Sequence, residues 1–187
     1  LRLGRLSPIQ MNEDADDPYV IAIGFRCRPG TSNSVQTWWS RQVSSEWASD
    51  ITNRQVVQIP ENQGTVLFTN VFPCTAADLE AGHKPELIGA VVVLMEQDNT
   101  TAETTIARVE AGLRLFESGL NTGMIHANTN DLVPTIQGID PYVNVLANMI
   151  TRNQSVFNDN DDRLGSTYFL YLAVAPEVAA SRWPAAL

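Results

Sequence analysis

The sequence has little of several features that would point directly to a function. It contains two cysteines, one lysine (Lys84) and no apolar run near the roughly 18 residues that span a bilayer. Only 12 basic residues stand against 21 acidic ones, so the formal net charge is −9 over 187 residues. Nucleic acid and anionic lipid attract clustered Lys and Arg, so we expect no nucleic-acid partner and no nonspecific attraction to anionic membranes. Because no apolar run is long enough to span a bilayer, we also expect no transmembrane segment.

Catalytic motifs are also missing. The sequence has no Gly-x-Ser-x-Gly elbow, no phosphate-binding loop and no dinucleotide fingerprint. Its two histidines, His83 and His126, lie in polar segments without a Ser or Cys motif at a recognisable spacing. We therefore expect a protein that is not an enzyme. A hydrolase built on two carboxylates across a cleft is the open alternative, because sequence does not show such a pair.

The cysteines, the possible glycosylation sites and the first residue are relevant to where the protein is located and how it is processed. Cys27 and Cys74 form either one disulfide or two buried free thiols, and the sequence leaves both open. The triplets that begin at Asn99 and Asn153 would accept glycans in a secretory route. We expect an extracellular or surface-exposed protein. Because the chain starts at Leu1, we also expect a processed form or a piece of a longer protein.

Hydrophobic patterning predicts strands through much of the chain. Clean alternation over residues 19–28 is typical of a half-buried strand, and residues 86–96, apolar on both faces, belong in the middle of a sheet. The other predicted strands cover residues 35–39, 54–59, 65–72 and 166–175.

Two helices are predicted before the last strand. Thr100 and Glu103 have capping-box spacing and precede an apolar stripe, and Asp140 and Pro141 mark a second helix start. We predict a single domain over residues 1–187, with the helical insertion at about 100–152 and an irregular tail at about 177–187. The predicted fold is mainly β: an antiparallel β-sandwich with a two-helix insertion.

Three acidic clusters flank predicted strands, at residues 13–17, 96–99 and 158–162. If strand 86–96 runs antiparallel to its neighbours, all three clusters lie at one rim of the sheet. Calcium binds through six to eight oxygens, so we predict a calcium site there; the alternative is solvated loops. The candidate ligands are Asp17, Glu96, Asp98, Asp159, Asp161 and Asp162.

Three short segments resemble the C2 domain, a calcium-dependent lipid-binding module. They are Asp16-Asp17-Pro18-Tyr19-Val20, Val93-Leu94-Met95-Glu96-Gln97-Asp98 and Asp161-Asp162-Arg163-Leu164-Gly165. The resemblance implies a β-sandwich with Asp17, Glu96, Asp98 and Asp162 as calcium ligands. The chain departs from the family at Glu96, where aspartate is usual, and in the long insertion over residues 99–160.

A tryptophan-rich stretch suggests a partner. Trp38, Trp39 and Trp47 lie near Arg41, and such residues anchor protein or carbohydrate partners; the alternative is core and edge aromatics. We therefore predict a non-catalytic calcium-binding module of a secreted or surface protein. The alternative is a structural subunit of a capsid, tail, toxin or other assembly, in which copies of the chain form a homo-oligomer.

Overall fold

A computed structural model describes residues 2–3, 5–6, 17–48, 51–52, 55–97, 100–124, 132–150 and 163–182. Its strands are β1 (Arg5–Leu6), β2 (Pro18–Cys27), β3 (Gln36–Trp39), β4 (Val57–Gln58), β5 (Leu87–Glu96) and β6 (Arg163–Leu172). Its helices are α1 (Glu61–Gly64), α2 (Ala76–Glu80), α3 (Ala102–Met124), α4 (Leu132–Ile150) and α5 (Pro176–Arg182).

Four strands form one antiparallel sheet in the order β3-β2-β5-β6, and β1 pairs with β4 separately. The predicted antiparallel sheet is confirmed, and α3 and α4 lie between β5 and β6 as expected. With 23 residues in α3 and 19 in α4, helix is as prominent as strand. The described part of the chain is therefore a mixed α and β structure rather than mainly β.

The two long helices cover one face of the sheet, which we call the helix face. Along β2 and β5 every second side chain points to this face, because side chains alternate across a strand. These side chains form the larger core cluster with the apolar stripes of α3 and α4. At its centre, Phe25 and Phe116 meet edge to face with ring centroids 5.1 Å apart. The regular spacing of apolar residues on α3 thus forms the expected core.

Glycines let α4 approach α3 closely. A Cβ atom at Gly119 would lie 2.7 Å from the Tyr142 ring, and one at Gly123 would lie 2.5 Å from its hydroxyl. The Tyr142 side chain therefore occupies space that any larger residue on α3 would fill. This contact holds the two helices together as one layer above the sheet.

The opposite face, called here the open face, carries a smaller core. Val20, Ala22, Ala90 and Val92 are buried there beneath an irregular segment that includes Val66. The segment crosses β2 at Gly24, where a Cβ atom would lie 2.3 Å from Val66 Cγ1 and 2.8 Å from the Phe68 ring. Since both of its faces are covered, β2 is a buried strand and the half-buried prediction was wrong.

Two predicted strands differ from the structure. Residues 65–72 do not form a strand: Thr65 makes a single bridge to Arg2, and the following residues pack against the open face. Their alternation reflects burial of one side of an extended segment, which does not require backbone pairing. Of the predicted strand 54–59, the described residues show only β4.

Helix boundaries also differ. Thr101 rather than Thr100 caps α3, since the Thr104 amide donates to the Thr101 hydroxyl at 3.3 Å. α4 begins before Asp140 and contains Pro141, while the Asp140 carboxylate accepts a hydrogen bond from Tyr168 on β6 instead of capping a helix start. The predicted irregular tail contains α5, and residues 183–187 lie outside the described ones.

Candidate functional site

The strand polarity required by the calcium hypothesis is confirmed. Pro18 at the start of β2 is opposite Glu96 at the end of β5, and Arg163 at the start of β6 is opposite Met95. The Asp17 carbonyl accepts a hydrogen bond of 3.0 Å from the Gln97 amide. The end of β5 therefore lies between the starts of β2 and β6 at one rim, which we call the acidic rim.

The acidic rim contains two of the six candidate ligands in its described part. Glu96 is only 5% exposed, and Asp17 is half-buried beside it in the register. The other four candidates lie outside the described residues: Asp98, Asp159, Asp161 and Asp162. Within the described ranges, no three His, Cys, Asp or Glu side chains are close enough to hold a metal ion. The calcium site therefore stays a prediction.

The three tryptophans do not form one surface. Trp39 is 8% exposed and packs in the core of the helix face, whereas its neighbour Trp38 is 43% exposed, because adjacent side chains on β3 point to opposite faces. Trp47 packs against the open-face core and donates its indole N–H to Ser44 and Gln63. Of the predicted partner-binding residues, only Trp38 has an exposed side chain, at 43%.

A hollow of about 320 Å³ beside Trp38 contains two carboxylates, Glu110 and Glu117. Arg41 forms an ion pair with Glu110 at 2.5 Å, and the Thr37 hydroxyl donates a hydrogen bond to Glu117. Both carboxylates are thus engaged in contacts that join β3 and its following loop to α3. Here the structure does not support a carboxylate pair aimed at a substrate.

Cys27 and Cys74 are both buried and are not joined by a disulfide. The structure therefore agrees with the alternative of two buried free thiols. Burial raises the pKa of Cys27 to about 12, with a further contribution from the charge of Glu86. Burial and then Asp78 likewise raise the pKa of Cys74. Because the thiolate is the nucleophilic form, neither residue has the electrostatic setting of a reactive cysteine.

The opposite rim of the sheet contains the larger cavity, of about 590 Å³, which we call the loop cleft. The turn after β2, the segment before α2 and the turn after α2 contribute its walls. Its ionisable side chains are Arg28, Asp78, His83, Lys84 and Glu86. Sequence reasoning missed this site because its residues come from three separated segments and share no local motif.

Local capping fixes one wall of the loop cleft. The Thr75 amide and hydroxyl donate to the Asp78 carboxylate at 2.8 and 2.7 Å, and they lower the pKa of Asp78. The Asp78 amide in turn donates to the Thr75 hydroxyl, which completes a capping box at the start of α2. The Thr-x-x-Asp spacing is a sequence signal for this turn.

The strand β6 forms one edge of the sheet. It pairs with β5 along its length, and no other strand among the described residues pairs with its outer side. No charged residue lies between Leu164 and Leu172. On the open face, an apolar groove of about 190 Å³ separates β6 from the crossing segment, and exposed Leu67 and Tyr171 line it.

Comparison with known proteins gives no identification: no family model, curated protein or solved structure matches the chain. Within the described part of the chain, no helix has both the length and the apolar character needed to cross a membrane. Functional inference therefore depends on the acidic rim, the loop cleft and the edge strand themselves.

Proposed function

We propose that this protein is a non-catalytic structural subunit that self-associates through the outer edge of β6. The observation that carries the proposal is the uncharged run from Leu164 to Leu172 on a ten-residue edge strand. Edge strands expose unpaired N–H and C=O groups, and proteins normally protect them with charges, proline or short length. The other edge, β3, has only four residues.

The apolar groove beside β6 supports the same interface. Leu67 is 69% exposed and Tyr171 is 55% exposed, and both line this groove. Exposed apolar surface next to an open strand edge is typical of protein contact sites. A second copy related by two-fold symmetry would pair β6 with β6 in antiparallel fashion and cover both grooves.

Sedimentation or light scattering over a range of protein concentrations tests the proposal. We expect the average mass to rise with concentration, and to rise further with salt, because screening weakens repulsion between copies of net charge −9. Replacing exposed Thr167 on β6 by lysine should abolish the increase. The control Ser118→Lys adds the same charge on α3 and should leave association unchanged. A monomer at all concentrations would contradict the proposal.

A calcium-binding module is the second candidate, favoured by the strand polarity at the acidic rim. In this candidate the C2 resemblance is real, and the short β1–β4 sheet with the crossing segment is a reduced second layer of a β-sandwich. Extracellular calcium modules bind with dissociation constants of about 10⁻⁴–10⁻³ M, so we expect binding by a secreted protein of this kind to need millimolar calcium.

Calorimetric titration with calcium after chelation tests this candidate. We expect binding heat and a higher melting temperature, since an ion that binds only the folded state stabilises it. Asp17→Asn should weaken both effects, whereas Glu80→Gln, which removes the same charge on α2, should not. The absence of heat and of any melting shift at millimolar calcium would exclude the candidate.

A further inference from the structure

Hydrogen bonds at the two ends of β5 show to which neighbour each of its residues bonds. In an antiparallel sheet a residue directs its N–H and C=O to the same neighbouring strand, and consecutive residues alternate between the two neighbours. The Gln97 amide donates to the Asp17 carbonyl, so the odd-numbered residues of β5 bond to β2. The Ala173 amide donates to the Glu86 carbonyl, so the even-numbered residues bond to β6. The two bonds agree on one alternation along β5.

This alternation leaves three residues of β6 with peptide groups that point outward. The even-numbered residues of β5 are opposite odd-numbered residues of β6, from Ile88 with Tyr171 to Leu94 with Gly165. The even-numbered residues of β6 between these two pairs therefore direct their N–H and C=O groups away from the sheet; they are Ser166, Tyr168 and Leu170. Among the described residues, no other backbone group bonds to them.

Two β6 strands related by a two-fold axis have one register in which these three residues pair only with each other. With Tyr168 opposite its own copy, Ser166 is opposite Leu170 of the partner copy, and every outward N–H and C=O of the three is paired. Moving the axis by one residue places one of the three opposite Leu164 or Leu172 instead. Leu164 is at the bulge of β6, and the carbonyl of Leu172 already accepts a hydrogen bond within its own copy.

The same register matches an exposed ring with an open space. The side chains of odd-numbered β6 residues lie on the open face, where Phe169 joins the smaller core and Tyr171 lines the apolar groove. With Tyr168 at the axis, Tyr171 is directly opposite Gly165 of the partner copy. A Cβ atom at Gly165 would meet nothing within 4 Å, so the exposed ring has room to lie across this glycine. An aromatic ring opposite an edge glycine stabilises a sheet.

The helix next to β6 adds no unpaired charge to such an interface. Asp140 is the one charged residue of α4, and it accepts the hydrogen bond from Tyr168. The exposed residues of α4 within the range 138–150 are all uncharged: Gly138, Pro141, Asn144, Val145 and Asn148. Two copies therefore approach along β6 without bringing free charges of α4 together.

From the outward peptide groups and the match between ring and glycine, we propose that two copies of the chain pair through β6 in the register centred on Tyr168, with Tyr171 of each copy packed across Gly165 of the other. This inference rests on the self-association proposed above and adds which residues meet. The two four-stranded sheets then form one continuous sheet across the two-fold axis.

Disulfide cross-linking between two variants that each carry one added cysteine tests the register. Gly165→Cys and Tyr171→Cys, mixed and oxidised, should form a covalent dimer, because residues opposite at a non-hydrogen-bonded position have Cα atoms about 4.5 Å apart. Neither variant alone should cross-link, since six positions of about 3.4 Å each separate the added cysteine from its own copy. The wild type, whose two cysteines are buried, is the control for the oxidant.

The outcomes separate this register from self-association itself. If the wild type associates in sedimentation but the mixture does not cross-link, the register is wrong and self-association stands. Cross-linking of Thr167→Cys alone, with none in the mixture, would place the axis at Thr167 and overturn the register in the same way. A wild type that stays monomeric contradicts both proposals.

A second measurement needs no added cysteine. Tyr171→Ala should weaken dimerisation about tenfold, because each dimer has two of these ring contacts. Leu115→Ala removes an apolar side chain of nearly equal exposure, 54% against 55%, from α3 and should leave dimerisation unchanged. If Tyr171→Ala dimerises as tightly as the wild type, the ring does not pack across the glycine and the proposal is wrong.

Discussion

The two faces of the sheet are buried in different ways. On the helix face, two long helices supply regular apolar stripes, and the buried side chains form one continuous core. On the open face, an irregular segment covers β2 at Gly24. It leaves its own Leu67 exposed, and Tyr171 on β6 is exposed as well. The difference indicates that the helix face provides most of the stability, whereas the open face is available for contacts.

Phe116 and Phe72 provide the strongest test of this comparison, because the same residue type is 0% exposed at one position and 79% at the other. Phe116→Ala removes the ring that packs on Phe25 and should lower the free energy of unfolding by about 3–5 kcal/mol. Phe72→Ala should change it by less than about 0.5 kcal/mol. Urea denaturation measures both, and similar losses in the two variants would contradict the helix face as the main source of stability.

Gly24 tests how closely the open face is packed. Gly24→Ala places a methyl group against Val66 and Phe68, so we expect a loss of about 1–3 kcal/mol in unfolding free energy. Gly165→Ala on β6 is the matched control: its Cβ would meet nothing within 4 Å, and loss of glycine flexibility favours the folded state slightly. If Gly24→Ala is as well tolerated as the control, the segment does not hold the face as described.

Alkaline pH should reveal the burial of Cys27. The unfolded thiol ionises near pH 9, while burial and Glu86 raise the folded pKa to about 12. As the pH rises, the unfolded state therefore loses this proton before the folded state does. The contribution of the thiol to the free energy of unfolding is fully present below pH 9 and is lost as the pH rises towards 12. For this thiol we expect a loss on the order of 1 kcal/mol at pH 10.

Denaturation of wild type and Cys27→Ala at pH 8 and pH 10 isolates this effect. The variant lacks the thiol, so its stability should depend less on pH over that interval, whatever its stability at pH 8. The raised pKa values of Cys74 and Tyr168 act in the same direction and remain in both proteins. An identical pH dependence in the two proteins would mean that Cys27 is accessible in the fold.

Local patterns predicted the parts of the fold that depend on local burial. The uninterrupted apolar run of β5, the alternation of β2 and the stripe on α3 each report how a segment meets the core. The predicted start of α4 was wrong because Asp140 and Pro141 have the local pattern of a helix cap. In the structure, the Asp140 carboxylate instead accepts a hydrogen bond from Tyr168 on β6. Such a contact between distant residues leaves no periodic signal in the sequence.

The candidate sites also differ in whether a local pattern or a contact between distant residues forms them. The prediction of one acidic rim was conditional on antiparallel strands, and the structure has that polarity and places Asp17 and Glu96 at one rim. The loop cleft depends on Lys84 reaching the turn at Gly30, which no spacing in the sequence predicts. Rims formed by strand ends are thus accessible to sequence reasoning, whereas a cavity between turns becomes visible only in three dimensions.

The smallest expected effect concerns β3, where the buried Trp39 and the exposed Trp38 are adjacent residues on opposite faces of the sheet. Trp38→Ala should change the free energy of unfolding by less than about 0.5 kcal/mol, since its ring is partly in solvent. Removing this exposed indole should also shift the remaining fluorescence to shorter wavelength and reduce its quenching by acrylamide. Trp39→Phe, which keeps an aromatic ring in the helix-face core, is the control and should not reduce quenching by acrylamide, because the indole that it removes is buried. If Trp38→Ala leaves quenching unchanged and lowers stability as a core substitution would, then β3 is covered on both faces and the open face is smaller than the sheet order implies.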